Sequence, residues 1–197
     1  MTAGHERIAL FGGSFDPPHC AHLAIARAAV THCGIERVVF IPCQESPLKG
    51  RQAVARGADR FAMLRVATDD LPWASVSNWE LSRPGPSYSW QTAEHFAALH
   101  PRAELSWLMG ADQWAGLERW ARPDILRDRL TFIVFARDGF QPGARGGWRA
   151  VFLPGEFSGS STEARRLLAA GASTAGLLPE PVADYAIRQH LYARGDQ

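Results

Sequence analysis

Ile8-Ala9-Leu10-Phe11 is a short apolar run, and two glycines, Gly12 and Gly13, follow it at once. After Ser14-Phe15-Asp16-Pro17-Pro18 the chain resumes as His19-Cys20-Ala21-His22. It then continues Leu23-Ala24-Ile25-Ala26-Arg27-Ala28-Ala29-Val30, with apolar residues at helical spacing. The succession reads as strand, tight turn and helix. Paired glycines let backbone N–H groups approach a ligand that a Cβ would hold off. The helix start adds further unpaired N–H donors and the positive end of the helix dipole, which favours an anion. His19 and His22 lie three apart on one helix face. The backward tilt of Cα–Cβ bonds turns both rings toward the turn. Two imidazoles above a nest of amides suit a phosphate.

Gly34 stops this helix, and Arg37-Val38-Val39-Phe40-Ile41-Pro42 reads as a second, buried strand. A β-α-β opening predicts a parallel sheet with ligands at the carboxyl ends of its strands. Further strands are expected over residues 104–109 and 130–136, with a weaker one between 73 and 79. Helices are expected over 59–68, 90–99 and 181–190. The expected class is α/β: a Rossmann-like open parallel sheet with helices on both faces and a small C-terminal helical part over about 158–197. Residues 1–197 form one expected domain, and 139–148, rich in Gly, Arg and Gln, an expected mobile loop.

At 197 residues, with 46% hydrophobic and 21% charged side chains, the composition is that of an ordinary soluble globular protein. A net charge of +1 argues against a nucleic-acid surface. No run approaches the roughly 18 apolar residues of a membrane span, and the first seven residues have no apolar core of a secretory signal. Cys20, Cys33 and Cys43 are odd in number and fit no C-x-x-C pattern, which implies free thiols in a reducing cytoplasm. All but one of the 21 basic residues are arginines, and the lone lysine is Lys49. There is no internal repeat, no Walker A loop and no G-x-S-x-G elbow.

The stretch from Gly12 to His22 resembles the G-G-T-F-D-P-x-H-x-G-H signature of nicotinate-mononucleotide adenylyltransferases, members of the H-x-G-H nucleotidyltransferases. Ser14 stands where that pattern has Thr, and Ala21 where it has Gly. The segment from Glu80 to Thr92 is similar to E-x-x-R-x-G-P-S-Y-T-x-D-T, with Ser89 in place of Thr and Gln91 in place of Asp. Gly159-Ser160-Ser161-Thr162-Glu163-Ala164-Arg165 resembles I-S-S-T-x-I-R, with Gly159 and Ala164 replacing the isoleucines. Leu177-Leu178-Pro179, Tyr185, Leu191 and Tyr192 extend the likeness over nearly the whole chain. Ser14 and Ala21 read as small changes and Gly159 and Ala164 as packing changes, whereas Gln91 loses a negative charge.

The resemblance implies attack by the phosphate of nicotinate mononucleotide on the α-phosphorus of ATP, releasing pyrophosphate, in NAD biosynthesis. It assigns His19, His22, Lys49 and Arg165 to catalysis. ATP would meet Gly12, Gly13, Ser14, Phe15, Gly110, Asp112, Arg137, Ser160, Ser161 and Thr162. Nicotinate mononucleotide would meet Lys49, Ser87, Tyr88, Ser89, Asp112 and Trp120. Mg2+ would arrive with ATP, and no resident metal is implied. Neither nucleic acid nor membrane is an expected partner, and oligomeric state, a homo-oligomer included, stays open.

Plainer roles exist for the same residues. Lys49 suits a solvated loop, Trp120 a core position, and the Pro84-Gly85-Pro86 turn an exposed connection. Ser89 and Asp112 each suit an N-cap, and Ser160 with Glu163 makes a capping box. Competing functions are an adenylyltransferase for nicotinamide mononucleotide or pantetheine phosphate, a non-catalytic nucleotide sensor, and a zinc protein using His19, Cys20, His22 and Cys33.

Overall fold

Successive strand side chains point to opposite faces, so β1 (Arg7–Gly13) sends Ile8 and Leu10 one way and Ala9 and Phe11 the other. All four are buried. A strand covered on both faces needs helices above and below the sheet. The computed structural model, which describes residues 5–47, 53–136 and 143–193, supplies them.

The remaining strands are β2 (Arg37–Pro42), β3 (Ala74–Val76), β4 (Glu104–Gly110), β5 (Thr131–Ala136) and β6 (Ala150–Glu156). Their order in the sheet is β3-β2-β1-β4-β5-β6, and every pairing is parallel. Between β1 and β4 the chain switches from building outward on one side to building outward on the other. Such a switch opens a crevice beyond the carboxyl ends of the two strands.

Helices α1 (Cys20–Cys33) and α2 (Gly57–Thr68) cover one face, where Ile25, Ala26, Ala29 and Leu64 pack on Ala9, Phe11, Val38 and Phe40. Gly34 ends α1 in the left-handed conformation at φ 63°, which a glycine adopts without a steric cost. Helices α3 (Ser89–Leu99), α4 (Ala111–Ala115) and α5 (Pro123–Arg129) cover the other face. There Ala93, Phe96, Trp114 and Leu126 meet Ile8, Leu10, Trp107 and Phe132. A third cluster joins α2 to α6 (Ser161–Ala169) and α7 (Glu180–Arg188) through Met63, Ala164, Leu178, Val182, Ala186 and Tyr192. The C-terminal helices are thereby fastened to the end of the sheet that carries the glycine turn. Among the described residues, no helix is long and apolar enough to cross a membrane.

The open parallel α/β sheet agrees with the expectation, and four local details differ. The strand expected within 73–79 shrinks to three residues at the sheet edge. The other edge strand, β6, has no counterpart in the sequence reading. Its Pro154-Gly155 pair (Gly155 φ 100°) and a register shift beside Ala136 mark an irregular edge, where proline is tolerated. Ser89 is the first residue of α3 rather than its cap, a position taken by Tyr88 without a side-chain bond. Gly110, not Asp112, caps α4.

Candidate active site

His19 is the residue just before α1, and His22 stands at its third position. The backbone N–H of His19 donates to Nδ1 of His22 at 3.1 Å. The two rings stack with centroids 3.7 Å apart and planes inclined by 17°. The pair therefore shares one spot above the glycine turn through cap geometry, not through two places on one helical stripe. Phe15, at φ 49°, occupies the left-handed region that non-glycine residues rarely adopt. Its ring is 2% exposed and meets Phe11, Phe40 and the His22 ring edge-on, the last at 4.9 Å. Core packing thus holds the turn, and Phe15 has only its backbone to offer a ligand.

Asp16 ties this turn to three distant segments. Its carboxylate accepts the N–H groups of Val54 and Ala55 at 2.7 and 3.0 Å, and the Tyr192 hydroxyl at 2.8 Å. Its carbonyl accepts from Nη1 of Arg165 at 2.6 Å. The same Nη1 lies 3.7 Å from Asp16 Oδ2. Burial and the Asp16 charge hold the Tyr192 phenol well above its ordinary range. Arg60, itself buried, donates to the carbonyl of Ser14 at 2.7 Å and to that of Ala55 at 3.2 Å. A buried guanidinium spent on carbonyls fixes backbone. Arg60 was not singled out from the sequence, where it is one arginine among many.

The start of α6 closes on the same turn. Ser161 Oγ donates to the carbonyl of Pro17 at 3.0 Å. Ser160 Oγ accepts the Glu163 N–H at 3.2 Å, so half of the expected capping box forms. The other half does not: the Glu163 carboxylate takes both arms of Arg166 instead, at 2.8 and 2.6 Å. Thr162 Oγ1 accepts from Arg165 Nη2 at 3.2 Å. All three hydroxyls thus have protein partners. The group that suits an anion here is the set of first-turn backbone N–H donors, aligned with the helix dipole. His19, His22, Arg165 and the start of α6 are brought together.

Beside the turn, a cleft of about 320 Å³ opens at the switch between β1 and β4. Gly12, Gly13 and Ser14 form its floor, and Cys43, Ser46 and Pro47 come from the loop after β2. Ser87, Tyr88, Ser89 and Trp120 form the far side. A Cβ on Gly12 would lie 2.9 Å from the Trp107 indole, so the bare backbone lets that ring stand as a wall. Trp120 meets Trp107 edge-on at 6.1 Å. Ser87 joins the turn to the β2 loop, its Oγ accepting the Gln44 N–H at 3.0 Å and its N–H donating to Glu45 at 2.9 Å.

Glu80 and Thr92, the ends of the second motif, are buried and bonded to each other at 2.6 Å. Burial pushes the Glu80 carboxyl up, against the opposing pull of hydroxyls on Thr92 and Ser87. Their job is to brace the turn against α3. Gln113 and Arg119 also line the cleft, although neither drew a role from the sequence. Arg119 is the one basic residue among the described lining residues.

Gly110 ends β4 at the same sheet edge, and Asp112 is exposed two residues later, beside the cleft wall rather than in it. Lys49 and Arg137 lie outside the described residues, as do residues 139–142 of the loop expected over 139–148. The zinc arrangement does not form: Cys20 and Cys33 sit at opposite ends of a 14-residue helix, about 20 Å long. Among the described residues, no group of three or more His, Cys, Asp or Glu side chains could hold a metal ion. A larger depression of about 670 Å³ lies at the amino end of β4, around Ala103 and Leu105, and none of the motif residues lines it.

A cytidylyltransferase-like family model matches residues 10–167. A protein of Symbiobacterium thermophilum named "Probable nicotinate-nucleotide adenylyltransferase" is 36% identical over 202 residues, covering 96% of this chain and 97% of its own. A Bordetella petrii protein of the same name is 38% identical over 201 residues, covering 95% and 99%. The fold is similar to that of Plasmodium falciparum nicotinic acid mononucleotide adenylyltransferase complexed with NaAD. The TM-score is 0.79 at 20% identity, over 95% of this chain and 98% of that one.

Proposed function

The chain belongs to the cytidylyltransferase-like family and, within it, to the nicotinate-nucleotide adenylyltransferases, and from that membership we propose which of its residues carry the reaction. The enzyme transfers the adenylyl group of ATP to nicotinate mononucleotide, giving nicotinate adenine dinucleotide and pyrophosphate in NAD biosynthesis. An oxygen of the mononucleotide phosphate attacks the α-phosphorus. The α–β bridging P–O bond breaks, and its electron pair leaves with pyrophosphate. The attacking group is already anionic at neutral pH, so no covalent enzyme intermediate is needed. The protein's task is alignment and charge stabilisation.

His22 accepts a backbone N–H at Nδ1, which places the proton of its neutral ring on Nε2. Nε2–H is the proposed donor to the α-phosphate oxygens as charge builds there. His19, stacked on it, orients the phosphates. Arg165 and Lys49 hold the β- and γ-phosphates that depart. Arg165 is supported by its placement at the α6 start, and Lys49 by the sequence likeness. Backbone of Gly12, Gly13, Ser14 and Phe15 and the first turn of α6 at Ser160, Ser161 and Thr162 complete the triphosphate cradle. Gly110, Asp112 and Arg137 serve the nucleoside side, with Asp112 suited to sugar hydroxyls. Mg2+ enters as part of the MgATP substrate, on triphosphate oxygens.

The acceptor is read into the cleft floored by Gly12 and Gly13. Ser87, Tyr88 and Ser89 form its polar edge at the start of α3, where a helix dipole favours a carboxylate, and Trp120 offers an aromatic face to the pyridine ring. The observation that carries the reading is the junction of Asp16, Pro17, Ser161 and Arg165, which seats one helix start against the imidazole pair of another. Turnover with MgATP tests it. Nicotinate mononucleotide should support pyrophosphate release far better than nicotinamide mononucleotide or pantetheine phosphate. A preference for either of those would contradict the acceptor assignment.

A further inference from the structure

Gly159 lies where the approach to α6 passes the imidazole pair. A Cβ built on it would stand 2.8 Å from Cβ of Ala21 and 2.9 Å from both Cε1 and Nδ1 of His19. Carbon atoms do not approach so closely. Gly159 is not among the residues with positive φ, so space rather than backbone conformation demands the glycine. The surroundings have little room to yield. Ala21 is a buried methyl on α1, with no rotatable bond to turn. The backbone on either side is held by the Ser161–Pro17 and Arg165–Asp16 bonds. Of the two groups that would collide with it, the His19 ring is the one with torsional freedom, and it is stacked on His22.

We propose that Gly159 and Ala21 are matched as a pair around His19: because position 159 carries no side chain, the Ala21 methyl and the His19 ring both fit against its backbone, and the ring is held over the phosphates. A side chain at 159 competes with the Ala21 methyl for one volume and drives the ring out of register with His22. Misplacement by a fraction of an ångström at such a site costs turnover more than substrate affinity. The proposal rests on the assignment of His19 to phosphate orientation.

The test is a four-way comparison of parent, Gly159→Ala, Ala21→Gly and the double variant, with MgATP and nicotinate mononucleotide and thermal unfolding measured alongside. Gly159→Ala should lower kcat about tenfold or more, with KM for both substrates within about threefold. Ala21→Gly should stay near the parent, and adding it to Gly159→Ala should recover about threefold or more of the lost kcat, because it removes the 2.8 Å contact and gives the new methyl room to lean off the ring. Undiminished kcat in Gly159→Ala, or a double variant as impaired as Gly159→Ala, overturns the pairing. If Gly159→Ala does not fold, a folded and active double variant still supports it, and a double variant that also fails to fold overturns it. His19→Ala separates the two readings. Full turnover in that variant removes the role of His19 itself, whereas impaired His19→Ala beside an unimpaired Gly159→Ala removes only the positioning pair.

Discussion

Tyr192, near the carboxyl end of the chain, donates its hydroxyl to the carboxylate of Asp16 in the glycine turn, at 2.8 Å and with both residues buried. The bond ties the last described segment to the turn proposed to carry the chemistry. Asp16 keeps two backbone donors without it, at Val54 and Ala55. Tyr192→Phe should therefore lower unfolding free energy by about 1.5–3 kcal/mol, the usual worth of a buried bond to a charged acceptor. Urea denaturation measures the loss. Because Arg165 bonds the Asp16 carbonyl rather than the phenol, kcat should change little.

His22 has the opposite profile. Its ring faces the turn, and its loss removes one donor from the proposed transition state. His22→Ala should reduce kcat by about 10²–10³ while thermal unfolding stays close to the parent. Turnover within a few fold of the parent would deny it the role of α-phosphate donor.

Trp120 should act on one substrate alone. It lines the cleft beside Tyr88 and makes an edge contact with Trp107. Trp120→Ala should raise KM for nicotinate mononucleotide about tenfold, the size of a lost aromatic contact with its buried area. KM for ATP should hold. Equal effects on both would place the ring in the core and not on the acceptor.

Glu80 makes stability depend on pH in an unusual direction. Burial raises its pKa above the ordinary 4.5, so the folded state holds the proton more tightly than the unfolded chain. That contribution is fully present below 4.5 and is lost as pH rises through the folded value. Glu80→Gln keeps an acceptor for Thr92 and cannot ionise. The stability of the variant relative to the parent should rise with pH above 4.5 and then level off. Unfolding free energies of both proteins at several pH values test this, and a constant difference contradicts it.

The sheet and the helix start over the glycine turn were readable because local signals agreed. Buried strands announced themselves as apolar runs in β1, β2, β4 and β5, and Gly34 marked the end of α1 as expected. Strand β6 was missed although Ala150-Val151-Phe152-Leu153 is an apolar run as long as that of β1, because the Pro154-Gly155 pair that cuts it short reads as a turn. Cap positions of α3 and α4 were off by one or two residues, for Ser89 and Asp112 look like caps whatever the backbone chooses. Long-range contacts were least readable. Ala21 read as a small change and Gly159 as a packing change, yet in the fold they share one volume. Arg60 and Tyr192 carry no local sign that one holds the Ser14 carbonyl and the other the Asp16 carboxylate.

The convergence of two helix starts on one triphosphate is tested most directly by a crystal structure of the protein with a non-hydrolysable ATP analogue and magnesium. The β- and γ-phosphates should lie between the His19–His22 pair and the first turn of α6, within hydrogen-bond distance of Arg165 and of at least one backbone N–H at Ser161 or Thr162. A triphosphate that touches the glycine turn but leaves α6 and Arg165 uncontacted would contradict the account.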